Sequence, residues 1–566
     1  MKQVFAIETN QARRRRLEAA FGRSRSLGVP VLFSHTERIG PVSLTELFAL
    51  AEGGYGGSRF FWSEPDGVRA FLACGAAWEL ECGGGADRYA RLERSWRELN
   101  AHAVIGGEED AADNRGEDDA AAVFGGEGNA AEVASDADGG RARGESPDWA
   151  GPILVGGFSF DPEKSGGELW RDFPDSRFVL PTWVVSVRNG EARLTYSRII
   201  DPADRLESVW EECGEERRRM GRLIGAATAS AAWEAAAVRE RDSASREPRA
   251  RETGGESGEA DVTLAEIARE EWLRAVEQGV QAIRSGQFEK VVLARMCLVE
   301  QDRPFDLRRV LETLRHSQPG TFVFAVESGE SCFVGATPER LVRRENGEFI
   351  TLSLAGTAPR GETPEEDERI GRFLLTDGKN RHEHALAVRM IAHAMGRLCT
   401  EIELPGEPIL YRLKDVQHLQ TPIRGRAKED ATLLQAVGLL HPTPALGGMP
   451  REAAMEFIRR FEPTNRGWYA APIGWIDRRG EGEFVAGIRS ALVRGGRAVL
   501  FAGCGIVGDS APESEYAETV IKFRPMIAAL TGGRKVRMSD RRESKTAAAK
   551  LDPADQADQA EQVEAK

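Results

Sequence analysis

Charged side chains set into apolar runs are where this sequence could do chemistry. The stretch 498–524 reads AVLFAGCGIVGDSAPESEYAETVIKFR. Its first half suits a buried strand with glycines where backbone meets a ligand. Asp509 and Ser510 then offer helix N-cap oxygens, and Pro512 fits a first helical turn. In the helix that follows, Glu515, Glu518 and Lys522 fall at i, i+3 and i+7 and share one face. Tyr516, Val520 and Phe523 form an apolar face beside them. The carboxylates then either point into a cleft or make a solvated turn in which Glu518 and Lys522 pair on the surface.

A second carboxylate comes from the helix KNRHEHALAVRMIAHAMG (379–396). Glu383 shares a face there with Leu386, Ala387 and Met390. A buried carboxylate must be paired with a cation, protonated or bound to a metal. His382 and His384 diverge on adjacent positions and lack the HExxH spacing of a zinc site. Carboxylates from two helices, Glu383 and Glu518 with Glu515 nearby, suit Mg²⁺, which takes oxygen ligands and keeps waters. Lys290, in the strand FEKVVLAR, is either an edge-strand guard or an amine poised as a general base. Glu339 in GATPERL is either an N-cap or surface acid, or a loop carboxylate facing a cleft. Arg489 in the apolar run VAGIRSALV is out of place unless it meets an anion.

The elements that position these groups lie mostly between Thr263 and Gly532. That region opens with an amphipathic helix, LAEIAREEWLRAVEQGVQAIRSG, stopped at Gly286. Strands joined by short turns follow, with helices between groups of them, which predicts an α+β fold with largely antiparallel sheets. Residues 1–103 form an N-terminal part of the fold that continues over 151–225, with a hairpin turning at Asn189-Gly190. Between them, 104–150 is an acidic, Gly/Ala-rich insertion that cannot offset its ordering entropy by burial. A low-complexity linker spans 226–262, the catalytic region 263–533, and a polar tail 534–566.

With 566 residues the chain can bury a large core, and its formal net charge of −14 implies no nucleic-acid surface. The Arg runs 13–16 and 217–219 read as solvated helix faces. Seven scattered cysteines without CxxC indicate reduced thiols in a cytoplasm rather than a disulfide framework. No signal peptide or membrane span is expected.

Nine segments in order carry a family resemblance: KVVLAR (290–295), GATPERL (335–341), LAGTAPRG (354–361), DGKNRHEHALAV (377–388), VQHLQTPIRG (416–425), LHPTPALGGMP (440–450), RGWYAAPIGW (466–475), IRSALV (488–493) and AGCGIVGDSAPESEYAETVIKF (502–523). Together they resemble the chorismate-utilising enzymes, and within them the isochorismate synthases; the N-terminal half matches more loosely, chiefly through GGFSFDP. The resemblance implies one large catalytic domain with two facing sheets and helices outside. It implies chorismate as substrate, with Mg²⁺ held by Glu383 and Glu518 and by Glu515 through water. It also implies Lys290 as the base that activates water for attack at ring C2, and Glu339 as the acid that protonates the departing C4 hydroxyl. Tyr469 and Arg489 would hold the enolpyruvyl carboxylate, while Thr357, His418, Gly505 and Lys522 line the pocket.

Within that resemblance, relatives that add ammonia commonly have Gln where Lys290 stands. Aminodeoxychorismate synthases resemble a pattern with a nucleophilic lysine at the place of Ala355. The LLES motif typical of anthranilate synthases is absent, and HPTPALGG favours stopping at isochorismate over salicylate. No glutamine amidotransferase subunit is therefore expected, and the resemblance points to a monomer. A chorismate-binding protein without turnover is the other functional class, disfavoured because every acid, base and metal position is filled. The long N-terminal half leans toward menaquinone biosynthesis rather than a catecholate siderophore.

Overall fold

A computed structural model of the chain describes residues 10–85, 87–107, 149–164, 167–244, 262–414, 416–463, 465–534 and 536–538. Most of the acidic insertion, the end of the linker and nearly all of the tail lie outside the described residues.

Two mixed-order sheets dominate, one of fourteen strands and one of ten. Among the described residues almost every pairing is antiparallel; only Val31–Ile39 with Val104–Gly107, and Val262–Ile267 with Val536–Met538, run parallel. Both halves of the chain build both sheets. In the larger sheet, Val323–Val326 pairs with Phe60–Ser63 of the N-terminal half. In the smaller one, Ile473–Asp477 pairs with Ile153–Gly157. The sheets pack face to face through aromatic side chains, such as Phe71 of one against Trp475 of the other, 6.2 Å apart in an edge-on arrangement. Helices cover the outer faces.

Two places where the chain leaves one sheet for the other matter most for the site. The strand Ser331–Thr337 belongs to the larger sheet and Arg340–Glu345 to the smaller, so Pro338 and Glu339 form the crossing. Gly482–Ala486 and Ser490–Arg494 are likewise in different sheets, with Gly487–Arg489 between them. The crossings are tied together: Ala486 N donates to Glu339 O at 3.0 Å and Ala336 N to Arg489 O at 3.1 Å. Arg489 is therefore not a strand residue, as its apolar surroundings predict, but a crossing residue with φ 51°.

Several expected boundaries move. Leu264–Ile267 is the end of a strand, not the start of a helix. It pairs with Met296–Val299, and Ala268 at φ 53° breaks the chain before the helix Arg269–Arg284. The same four residues alternate as well as they spiral, and the waiting edge of Lys290–Glu300 decides. Val104–Gly107, placed in the insertion by composition, forms a short strand against Phe33–Thr36. The helix Leu206–Ala244 runs nearly twenty residues past 225, and Val536–Met538 in the tail adds a strand beside Val262–Leu264. Nor is Arg217 merely solvated: it makes a two-pronged pair with the buried Glu37 at 2.6 and 3.1 Å. The Asn189-Gly190 hairpin stands as read, both residues at positive φ between Arg188 and Glu191.

Beneath the site a sealed ion pair locks three segments. Arg466 grips Glu462 with two hydrogen bonds of 2.6 and 2.8 Å, and both side chains are nearly devoid of solvent contact. Arg466 also donates to Val292 O and Leu446 O, while Glu462 accepts from Ala294 N. Arg466→Met would leave Glu462 buried without a cation, and should cost about 3–5 kcal/mol of stability. Denaturant unfolding should show that loss, with partial recovery when Glu462 is also replaced by Met. A single variant within about 1 kcal/mol of wild type would contradict this assignment.

Candidate active site

The strand Lys290–Glu300 starts at the mouth of the gap between the sheets. It is no edge strand: Arg497–Ile506 pairs along one side, Val262–Ile267 along the other, and Met449 opposite Lys290 itself. The lysine stem crosses Gly505 of the neighbouring strand. A Cβ on Gly505 would lie 2.7 Å from Lys290 Cε, so only glycine leaves the stem its path. Nζ reaches across the gap and donates to Glu383 Oε1 at 2.5 Å.

Glu383 stands on the helix Gly378–Gly396, capped by Asp377, which accepts from Asn380 N. The buried stripe of that helix is His384, Ala387, Ile391 and Met395. Glu383, with Leu386 and Met390, lies beside the stripe rather than in it, leaving its carboxylate in the pocket at 30 % exposure. His384 faces the sheet, bonded to Ala355 O and Thr421 Oγ1.

The helix Pro512–Thr531 brings the other acids. Its N-cap is Ala511 without a side-chain bond; Ser510 Oγ instead accepts from Val507 N in the preceding turn. The buried face is Tyr516, Thr519 and Phe523, whereas Val520 is exposed. Thr519 is buried because its hydroxyl donates to Tyr516 O and accepts from the sealed guanidinium of Arg295. Glu515, Glu518 and Lys522 face the pocket. Lys522 Nζ is shared by Glu518 Oε1 at 2.7 Å and Gly503 O at 2.8 Å.

All eleven residues singled out from the sequence line one cavity of about 450 Å³: Lys290, Glu339, Thr357, His418, Tyr469, Arg489, Gly505, Lys522, Glu383, Glu515 and Glu518. The size is that of a small-molecule site. Thr357 is turned toward its partner by a bulge at Gly356 (φ 75°), where the register with Val416–Ala427 slips; its hydroxyl meets His418 Nδ1 at 2.9 Å. Burial, with Arg489 and Lys522 nearby, pushes His418 down to about 3, so the ring is neutral. Tyr469 stacks on Phe501 at 5.2 Å, and burial raises its phenol well above the ordinary range.

Where Glu383 and Glu518 pair with lysines, Glu339 is bonded by a threonine hydroxyl. It is neither an N-cap nor a surface acid. Desolvation lifts its carboxyl from 4.5 to about 7, against a hydrogen bond from Thr443 Oγ1 at 3.4 Å and the charges of Lys290, Lys522 and Arg489. It can therefore carry a proton near neutrality and give it up, which is what a general acid needs. Thr443, Lys379 and Asn380 also border the site or its acid. Reading the sequence residue by residue passes over them, although they sit in the LHPTPALGG and DGKNRHEH segments.

The carboxylates fit a hard divalent cation in chemistry. Burial raises Glu515, and the charge of Glu518 adds to the shift, a repulsion that a cation between them would relieve. Oxygen-only donors with room for water and a substrate carboxylate match Mg²⁺. The described residues do not gather three such side chains tightly enough to form a ready-made cage; Glu383 and Glu518 are each held by a lysine.

Two outcomes check this geometry. Gly505→Ala should displace the Lys290 amine and lower turnover on the order of 100-fold with the fold intact; near-normal turnover would contradict the crossing. Between about pH 4.5 and 7 the folded protein keeps a proton on Glu339 that the unfolded chain has lost, so stability falls as pH rises through that window. Glu339→Gln should therefore gain up to about 3 kcal/mol over wild type at alkaline relative to acid pH, measured by denaturant unfolding. An equal difference at both pH values would contradict the raised acid.

Comparison with known proteins identifies the family. The profile described as chorismate binding enzyme matches residues 16–126 and 141–531. Isochorismate synthase MenF of Bacillus subtilis is 35 % identical over 517 residues, covering 91 % of this chain and 97 % of that protein. The salicylate biosynthesis isochorismate synthase of Pseudomonas aeruginosa is 37 % identical over 522 residues, covering 91 % and 93 %. Among solved structures, MenF, the menaquinone-specific isochorismate synthase of Escherichia coli, shares the fold with a TM-score of 0.62 at 22 % identity, over 91 % of this chain and 100 % of that one. A family profile over most of the chain, and relatives matched nearly end to end, leave one conclusion: the chain belongs to the chorismate binding enzymes.

Proposed function

We propose that the protein is an isochorismate synthase, converting chorismate to isochorismate with Mg²⁺. The observation that carries this reading is the pairing, in one pocket, of an amine on Lys290 with a protonatable acid, Glu339 at about 7. Water adds at ring C2 as the C4–O bond breaks and the ring double bonds shift between them. Lys290 takes the proton that water loses, and Glu339 gives the C4 oxygen the proton with which it leaves as water. To act as the base Lys290 must first give up, to Glu383 or to solvent, the proton it holds against that carboxylate, so the ion pair is a resting arrangement. Arg489 and Tyr469 anchor the enolpyruvyl carboxylate, and Thr357, neutral His418, Gly505 and Lys522 shape the ring site. Glu383 and Glu518 would hold Mg²⁺, with Glu515 through water. When bound, the ion supplies neutralisation of the ring carboxylate and draws electron density during the displacement.

Ala355 buried beside this site leaves no lysine for a covalent route, and Lys290 stands where ammonia-adding relatives commonly differ. Our reading places the product in menaquinone synthesis. A salicylate-type siderophore is the second reading, because one near-full-length relative is named for salicylate biosynthesis. A deletion strain lacking menaquinone supports the first; one losing only a phenolate iron chelator supports the second. Among the described residues no helix is long and apolar enough to cross a membrane.

Purified protein given chorismate and Mg²⁺ should yield isochorismate by chromatography. Pyruvate release without an added lyase, or an ammonia-dependent aromatic amine, would overturn the assignment. Lys290→Ala should abolish water addition while chorismate still binds. Glu518→Gln should shift the activity curve to higher Mg²⁺; an unchanged curve would remove Glu518 from the ligand set.

A further inference from the structure

The strand Lys290–Glu300 has two faces, and the proposed chemistry uses one of them. Lys290, Val292 and Ala294 line the chorismate pocket. Arg295, the next residue, alternates to the opposite face, beneath the helix Pro512–Thr531. Its guanidinium is buried there, and Nη1 has no hydrogen-bond partner. Nε donates to Thr519 Oγ1 at 2.6 Å. The charge lies 3.9 Å from the centroid of the Tyr516 ring and 4.9 Å from that of Phe523. Glu266 supplies a counter-charge nearby, while its carboxylate accepts from the Tyr516 hydroxyl. Arg269 lies over the same Tyr516 ring at 4.6 Å and pairs with Glu513 in the first turn of the helix at 2.9 Å.

Arg295 thus meets residues 516, 519 and 523, all on the buried face of the helix. Glu515, Glu518 and Lys522, on the pocket face, each precede one of them by a single residue, and so lie about 100° from it around the axis. The rotation of this helix therefore decides whether the carboxylates reach the pocket. Side-chain ends lie about 6 Å from a helix axis, so a turn of about 20° would carry a Glu518 oxygen by about 2 Å. Mg²⁺ takes its oxygen ligands in a near-ideal octahedron at about 2.1 Å, and an error of that size would remove one. Apolar burial is non-directional and does not by itself fix that angle. The Arg295–Thr519 hydrogen bond does, because losing it would leave Nε buried and unpaired.

We propose that Arg295 is a positioning residue for the metal-holding face: gripping Tyr516, Thr519 and Phe523 from beneath, it fixes the rotation of the helix Pro512–Thr531 and so aims Glu515 and Glu518 into the pocket. The same strand then places the base, at Lys290, and sets the angle of the acids, at Arg295. The grip on the helix stands alone; its bearing on Mg²⁺ rests on the proposed function.

The test titrates Mn²⁺, in place of Mg²⁺, into the full-length protein with chorismate present, and follows loss of the free-ion electron paramagnetic resonance signal. Arg295→Met and Thr519→Val should each weaken Mn²⁺ binding about tenfold or more, as when a group orienting a metal ligand is removed. Thr519→Ser, which keeps the hydroxyl, should bind as wild type does. At saturating Mg²⁺ the KM for chorismate should stay within about twofold of wild type in all three, because Arg489 and Tyr469 lie outside this helix. Amide hydrogen exchange without metal should be faster over residues 512–523 in Arg295→Met and Thr519→Val, and unchanged over Gly378–Gly396, the helix of Glu383. Unchanged Mn²⁺ affinity in both variants, Thr519→Ser as impaired as Thr519→Val, or a KM raised as far as the Mn²⁺ constant would overturn the aim. Unchanged exchange over 512–523 would overturn the grip. Wild-type protein that takes up no Mn²⁺ would count against the metal reading, and the exchange comparison would then decide the grip.

Discussion

One ion pair crosses the gap on which this fold is built. Lys290 begins a strand of the larger sheet; Glu383 stands on a helix that packs against Glu348–Pro359 of the smaller. Everything that brings those two groups to 2.5 Å also encloses the pocket: the bare Cα of Gly505 under the lysine stem, the Arg466–Glu462 lock beneath the strand, and Met449 beside its first residue. A lysine at a strand end has little reach of its own, and it meets a carboxylate here because two sheets are held facing each other.

The same enclosure separates the acids by their surroundings. Glu383 and Glu518 keep lysine partners and some solvent, surroundings suited to holding a cation. Glu339, at a sheet crossing with only a threonine hydroxyl to bond it, is desolvated enough to hold its proton near neutrality. Environments that push like groups apart divide acid, base and metal-holding roles among similar side chains. The two crossings are what expose both Glu339 and Arg489 to the gap, since neither residue belongs to a strand whose face the sheet would dictate.

How much of this could be read from the sequence depended on whether a local pattern had one structural solution. Lys290 and Glu518 stand out because a charge in an apolar run has few comfortable places. The hairpin at Asn189-Gly190 is legible because two positive-φ residues between alternating strands have one good turn. The run GEFVAGIRSALV reads as one strand, and nothing local says that Gly487 divides it between two sheets. LAEI spirals or alternates equally well, and tertiary pairing chose the strand. The helical pattern puts Glu383 in the buried stripe, but the smaller sheet takes in His384 one position on, whose ring finds two buried partners there. Thr443 meets Glu339 across 104 positions of sequence, which no local pattern can announce.

The claim at the centre is that water, deprotonated by Lys290, becomes the new hydroxyl while the old one departs with a proton from Glu339. Turnover of chorismate in heavy-oxygen water, followed by mass spectrometry of the isochorismate, tests it most directly. The product should carry one solvent oxygen at C2 and none of the original C4 oxygen. An isochorismate that keeps the substrate's own hydroxyl oxygen would contradict it, because the hydroxyl would then have moved within the molecule without the proposed base and acid.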